Sequence, residues 1–201
     1  MFFITNVKQI LKECYQITFS SGSCFFLRLT YLTSVSAKRL KINEGFSEEE
    51  MQELIDAGLA YSAERVAMSY LGRSEQCRFL LTRKLKKKGF DDSIIKVALD
   101  FLEVQGYLSD TRFAQAWLRM RSINHVEGQL RLLSELMSRG IDRNIAKVVV
   151  EEYFADIDED VLFAKAVDKC RKLGKTGVAA ESYLRNKGFS MKQINSIISI
   201  L

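Results

Sequence analysis

The sequence predicts a mainly α protein: three tandem three-helix repeats, right-handed and elongated, preceded by a small N-terminal β-hairpin segment. Three observations carry this. Helical periodicity runs from Ser47 to the C-terminus, a linked pair of short signatures recurs three times at roughly 50-residue spacing, and proline is absent from all 201 residues. Without proline, no helix is broken from within and short turns must join the helices.

The first 46 residues read differently. In 14–31, Tyr15, Ile17 and Phe19 alternate with Gln16, Thr18 and Ser20, and Phe25, Leu27, Leu29 and Tyr31 alternate with Phe26, Arg28 and Thr30. Period two puts one set on each face of a strand pair. Ser20-Ser21-Gly22-Ser23 lies between them, and Gly22 supplies the turn conformation. Residues 2–10 are a candidate third strand. A lone hairpin is marginal in water, so this segment should pack on something.

Helices begin at Ser47, where Ser47 and Glu50 have capping-box spacing and Phe46 with Met51 forms a hydrophobic staple. Residues 47–60 read as a linking helix. Modules of three helices follow at 61–107, 108–155 and 156–201.

The repeat is a leucine, then a basic residue, a glycine, an apolar residue and a helix cap. Its copies are Leu85 with Lys88-Gly89-Phe90-Asp91, Leu136 with Arg139-Gly140-Ile141-Asp142, and Leu184 with Lys187-Gly188-Phe189-Ser190. The glycine should end one helix in the left-handed conformation, and Asp91, Asp142 or Ser190 should cap the next. The apolar residue between them plugs the corner. Upstream of each glycine lies an apolar–alanine pair and a bulky group: Val66-Ala67 with Tyr70, Phe113-Ala114 with Trp117, and Phe163-Ala164 with Val167. These share one helical face, and Ala67, Ala114 and Ala164 should let another helix approach closely.

Composition limits function. The net charge of +5 is spread along the chain, −1 over 1–60, +3 over 61–107, +1 over 108–155 and +2 over 156–201. This mild positive charge permits nucleic-acid or acidic-protein contact and proves neither. Cys14, Cys24, Cys77 and Cys170 have no metal-ligand or redox spacing and read as small buried hydrophobes in a reducing compartment. No signal-peptide core or membrane-length apolar run is present, so a cytoplasmic location is expected.

No catalytic set, metal-ligand set or cofactor motif emerges. His125 is the only histidine and falls near a turn between helices of the second module. Gly174-Lys175-Thr176 has the end of a phosphate loop, but Lys169 stands where the loop's first glycine belongs, and the context joins two helices. A binding role is expected, not an enzymatic one. The basic run 83–88 puts Arg83, Lys86 and Lys87 opposite Leu81 and Leu85, either as a solubilising face or as a contact for phosphates or acidic protein. Arg121 lies one turn beyond Trp117 and can stack on its ring, or be held rigid for a partner. Arg73, Arg119, Arg131 and Arg139 sit at or near helix ends of the first two modules, and their planar forks suit carboxylates and phosphates.

At Ala67-x-x-Tyr70-Leu71-x-Arg73-Ser74-Glu75, Gly106-Tyr107-Leu108-Ser109-Asp110-x-Arg112-Phe113-Ala114-x-x-Trp117, Arg121 through Gly128-x-x-Arg131, and Glu135-Leu136-x-x-Arg139-Gly140-Ile141, the chain resembles the RecX family of regulators of the recombinase RecA. The resemblance is best over about 61–155 and weaker beyond. Asp168 departs from it in the third module, where the first two copies have leucine. The resemblance implies three repeated three-helix units and no enzymatic activity. It also implies binding along the RecA–DNA filament, dampening ATP hydrolysis, strand exchange and co-protease activity, and weak, non-specific contact with single- or double-stranded DNA. A monomer is expected. The competing readings are a stand-alone, sequence-indifferent helical DNA-binding protein and, remotely, an enzyme.

Overall fold

The computed structural model describes residues 2–197. It contains four strands, β1 (Phe2–Leu11), β2 (Cys14–Phe19), β3 (Cys24–Arg28) and β4 (Gly45–Phe46), then nine helices among the described residues. These are α1 (Glu48–Leu71), α2 (Arg78–Lys86), α3 (Asp92–Val104), α4 (Asp110–Asn124), α5 (Gln129–Ser138), α6 (Arg143–Phe154), α7 (Glu159–Lys172), α8 (Gly177–Asn186) and α9 (Met191–Asn195). Two compact units result: Met1–Ser74 with Leu81–Leu108, and Glu75–Leu80 with Ser109–Leu201.

In the first unit the expected hairpin becomes an antiparallel sheet of order β3-β2-β1-β4. Gly22 turns the chain at φ +82°. The second strand ends earlier than its alternation predicts. Leu29–Tyr31 is a 3-10 turn, not strand. The cause is visible at its neighbours: the Arg28 guanidinium donates to both Glu64 oxygens (2.8 and 2.5 Å), and the Tyr31 hydroxyl donates to Glu64 (2.8 Å). These bonds pull the chain off the sheet and onto α1. Burial and the Glu64 carboxylate push the Tyr31 hydroxyl far above its ordinary pKa, so it stays a donor. Ile4, Ile17, Phe19, Leu27 and Phe46 pack against Leu54 and its neighbours on α1, so the sheet covers the helix.

Helix α1 starts with both capping-box bonds, Glu50 N–H to Ser47 and Ser47 N–H to Glu50. Phe46 and Met51 are buried there, as a staple requires. The helix then runs 24 residues without a break, about 36 Å. The linking helix at 47–60 and the first helix of the 61–107 module are therefore one element. Ala57, Ala60, Ala63 and Ala67 form its buried stripe against α3. Gly58 lets β3 come close, since a Cβ there would meet the Phe25 ring at 2.8 Å.

The three corners form. Gly89, Gly140 and Gly188 have φ of +88°, +80° and +84°, and Leu85, Leu136 and Leu184 before them are fully buried. Asp142 caps α6 through the amides of Asn144 and Ile145, and Ser190 makes a capping box with Gln193. Asp91 is the exception: it occupies the N-cap of α3, but its side chain makes no cap hydrogen bond.

Two other expectations are corrected. Ala164 is exposed, unlike Ala67 and Ala114. The buried residues of α7 are Phe163, Ala166, Val167 and Cys170, a stripe of i, i+3, i+4, i+7 that leaves Ala164 and Asp168 on the solvent side. Cys24 is exposed at the start of β3, whereas Cys14, Cys77 and Cys170 are buried.

Candidate partner-binding surface

The second unit holds the residues that combine charge with rigidity. Its first core joins Phe113, Ala114 and Leu118 of α4 to Leu132 and Leu136 of α5 and Ala146, Val149 and Val150 of α6. Ser109 caps α4 through the Arg112 amide, and Asp110, one residue on, accepts from the Arg78 amide at 2.8 Å. That bond fastens the start of α2 to this core, where Cys77 is also buried.

Trp117 packs half-buried against the core and collects two guanidinium groups. Arg121 lies 5.6 Å from the ring centroid and Arg139 lies 4.6 Å away. The stacking of Arg121 on Trp117 is thus present, and Arg139, from the α5–α6 corner, joins it. Each arginine is held from its other side. Arg121 donates to both oxygens of the buried Glu127 at 2.8 and 3.0 Å, and Arg139 pairs with Glu135 at 2.5 Å. Glu135 also accepts from Arg131 at 2.5 Å. Burial opposes the charge on Glu127, but the Arg121 hydrogen bonds and the cations nearby hold its carboxyl below the usual range. Glu135 is likewise lowered, chiefly by Arg139. The bidentate Arg121–Glu127 pair, and a Glu135 shared by two arginines, fix side-chain geometry more than they add stability.

The remaining candidates are solvent-facing. Arg73, Arg119 and Arg131 are exposed. Arg83, Lys86 and Lys87 are exposed too, with Lys86 paired to Asp92 at 2.6 Å and Lys87 just beyond the end of α2. Lys84 instead lies over the Tyr70 ring, 4.7 Å from its centroid. His125 is the exposed C-cap residue of α4. No group of three or more His, Cys, Asp or Glu able to hold a metal exists among the described residues, and no described helix is long and apolar enough to cross a membrane.

Sequence reasoning gives no site role to Glu127, Lys175, Tyr183 or Lys187, although Lys187 marks the third corner and Lys175 the rejected phosphate-loop motif; the four line one cleft of about 510 Å³ with Arg121 and Arg131. A buried glutamate three residues past a helix end carries no periodic signal. The one hint is the arginine Arg121 six residues earlier, which needs a carboxylate once Trp117 has desolvated it.

Arginines clamped on a tryptophan, exposed cations and glycine-cornered helix triplets define a class of proteins: tandem three-helix repeats. Comparison with known proteins narrows the class. The models for the first and second three-helix domains of RecX match residues 63–102 and 109–149. Regulatory protein RecX of Treponema pallidum (strain Nichols) is 30% identical over 154 residues, covering 77% of this chain and 94% of that protein. Its counterpart in Pseudomonas entomophila (strain L48) is 32% identical over 154 residues, covering 74% and 96%. Among solved structures, a crystal structure of regulatory protein RecX aligns over 100% of both chains with a TM-score of 0.75 at 18% identity. RecX from Lactobacillus salivarius aligns over 71% of this chain and 96% of its own with a TM-score of 0.58 at 20% identity, and both similarities concern the fold. The chain belongs to the RecX family of regulatory proteins.

Proposed function

We propose that this protein binds filaments of a RecA-type recombinase on DNA and slows their ATP hydrolysis, strand exchange and co-protease activity. It does so in the cytoplasm, as a monomer, by contact and without catalysis of its own. The observation that carries the reading is the relationship to regulatory RecX proteins across three quarters of the chain. The charge pattern supports it. Exposed cations lie just past α1 (Arg73), on and just past α2 (Arg83, Lys86, Lys87), on α4 (Arg119) and on α5 (Arg131). Several weak contacts made through one chain add by effective concentration, so a filament of repeated protomers is gripped without any single strong site. Arg121 and Arg139 serve by fixing the surface around Trp117.

The experiment is ATP hydrolysis by a RecA-type filament on single-stranded DNA, titrated with this protein. Wild type slows hydrolysis. The triple variant Arg73→Glu, Lys87→Glu, Arg119→Glu keeps its circular dichroism spectrum and melting temperature and needs on the order of tenfold more protein for the same effect. Wild type with no effect on the assembled filament defeats the reading.

A further inference from the structure

We propose that the cleft between the α4–α5 turn and α8 binds single-stranded nucleic acid, and that Glu127 is a built-in competitor for its phosphates. This rests on the reading that the protein works on DNA-bearing filaments, and it assigns that DNA a place and a control. Arg121, Arg131, Lys175 and Lys187 face the cleft, with Glu127 the one carboxylate among its lining residues. Cations thus outnumber carboxylates four to one along the walls. The walls are also held firmly together, because Gly128 N–H donates to Lys187 O at 2.8 Å and a Cβ on Gly128 would lie 2.5 Å from Gly188 O. The two sides approach backbone to backbone, which fixes the spacing of the cations on each.

The aromatic group separates a nucleic-acid site from a general anion site. Tyr183 lines the cleft with Lys175 and Lys187, each with its ammonium 5.9 Å from the ring centroid. A ring flanked by cations is the arrangement on which a base stacks while the neighbouring phosphates are neutralised. A duplex keeps its bases stacked on one another, so the geometry favours a single strand.

Glu127 sets how strongly the cleft attracts phosphate. Its side chain is 3% exposed and engages Arg121 at 2.8 Å, while Lys187 stands 3.9 Å away. In the free protein one buried carboxylate therefore satisfies Arg121 and partly satisfies Lys187. An arriving phosphate must share these cations with it, which keeps affinity modest. Removing the charge removes the competitor.

The test uses the isolated full chain, without recombinase, and fluorescence anisotropy of a labelled oligothymidine about 12 nucleotides long. Tyr183→Leu, which keeps the bulk of the core-facing side chain, weakens binding on the order of tenfold and leaves the salt dependence unchanged. Lys175→Glu weakens binding and makes the salt dependence shallower. Glu127→Gln tightens binding several-fold, with a melting curve to show that it folds. The proposal is overturned if folded Tyr183→Leu and Lys175→Glu both bind like wild type, if folded Glu127→Gln binds no tighter, or if a polyglutamate peptide of equal length displaces the oligonucleotide as well as unlabelled oligothymidine does. Should Glu127→Gln not fold, the other two variants decide. A wild type that slows the filament while these variants bind oligothymidine unchanged sinks this site alone; a wild type inert on the filament sinks the filament reading alone.

Discussion

Gly89 and Gly140 hold equivalent places in the repeat and the same left-handed backbone, at φ +88° and +80°, yet they carry different burdens. A Cβ on Gly89 would meet open space, whereas one on Gly140 would lie 2.4 Å from Phe79 Cβ. That contact is with the root of the Phe79 side chain, so rotating the ring does not relieve it. Gly89→Ala should therefore cost about 1 kcal/mol, the strain of a non-glycine residue in the left-handed region. Gly140→Ala should cost about 3 kcal/mol or more, because backbone must also shift. Urea denaturation of the two variants checks this, and equal losses would mean that Phe79 does not sit against the corner. The need for glycine at both corners is legible in the sequence, since the spacing after a buried leucine states where the helix stops. The difference between them is not, because Phe79 lies 61 residues before Gly140. The same limit applies around Trp117. Its stacking with Arg121 follows from one turn of helix, but Arg139 and the Glu127 pairing depend on how separate helices meet.

Elements show where periodicity serves and where it misleads. In α7 the apolar–alanine signature points to Ala164, while the packed face uses Phe163, Ala166, Val167 and Cys170. The signature reflects residue type alone, and a helix can carry an alanine on either side of its stripe; burial follows the i, i+3, i+4 rule and not the dipeptide. Ala164→Leu should thus change stability by no more than about 0.5 kcal/mol, and Ala166→Leu should lose about 1–3 kcal/mol through overpacking. Thermal melts of the pair discriminate, and the reverse order would restore the dipeptide register. The β4 strand was illegible for another reason: two residues, Gly45 and Phe46, cannot display a period. Between β3 and α1, Glu53 organises the loop. Burial works against its charge, but the Ser34 hydroxyl and the amides of Val35, Thr33 and Ser34 donate to it and bring its carboxyl down to about 2. A carboxyl lowered from 4.5 on folding stabilises at pH above the unfolded value, and that contribution is lost as pH falls from about 4.5 toward 2. Protection of the Thr33, Ser34 and Val35 amides, taken relative to the intrinsic exchange rate at each pH, should fall over that window in wild type. In Glu53→Gln it should already be low at pH 7. Protection that persists unchanged at pH 2.5 would contradict this.

For the whole molecule the organising quantity is charge. A net charge of +5 is divided as −1 over 1–60, +3 over 61–107, +1 over 108–155 and +2 over 156–201, so each helical module carries part of it. Helix triplets and glycine corners, repeated three times, were readable because repetition amplifies a weak local signal. The β-sheet's partner α1 was readable only as a need, since a hairpin this small must cover something. The electrostatic surface was readable in amount but not in arrangement, because ion pairing withdraws cations the sequence counts as free: Arg28, Arg39, Arg121 and Arg139 all face carboxylates. What remains suits a few phosphates at once. If about three are neutralised on a single strand, the logarithm of affinity should fall against the logarithm of salt with a slope of roughly −2. Affinity would then drop about twentyfold between roughly 50 and 200 mM salt. Oligothymidine and a mixed sequence of equal length should share this slope and bind within about twofold of each other, since stacking on Tyr183 accepts any base. Anisotropy titrations at several salt concentrations measure both quantities. A slope steeper than about −5 would require a far larger cationic track than the four cations lining the cleft provide. A preference for one sequence that survives high salt would mean that base edges are read by hydrogen bonds, and stacking on Tyr183 would not be what holds the strand.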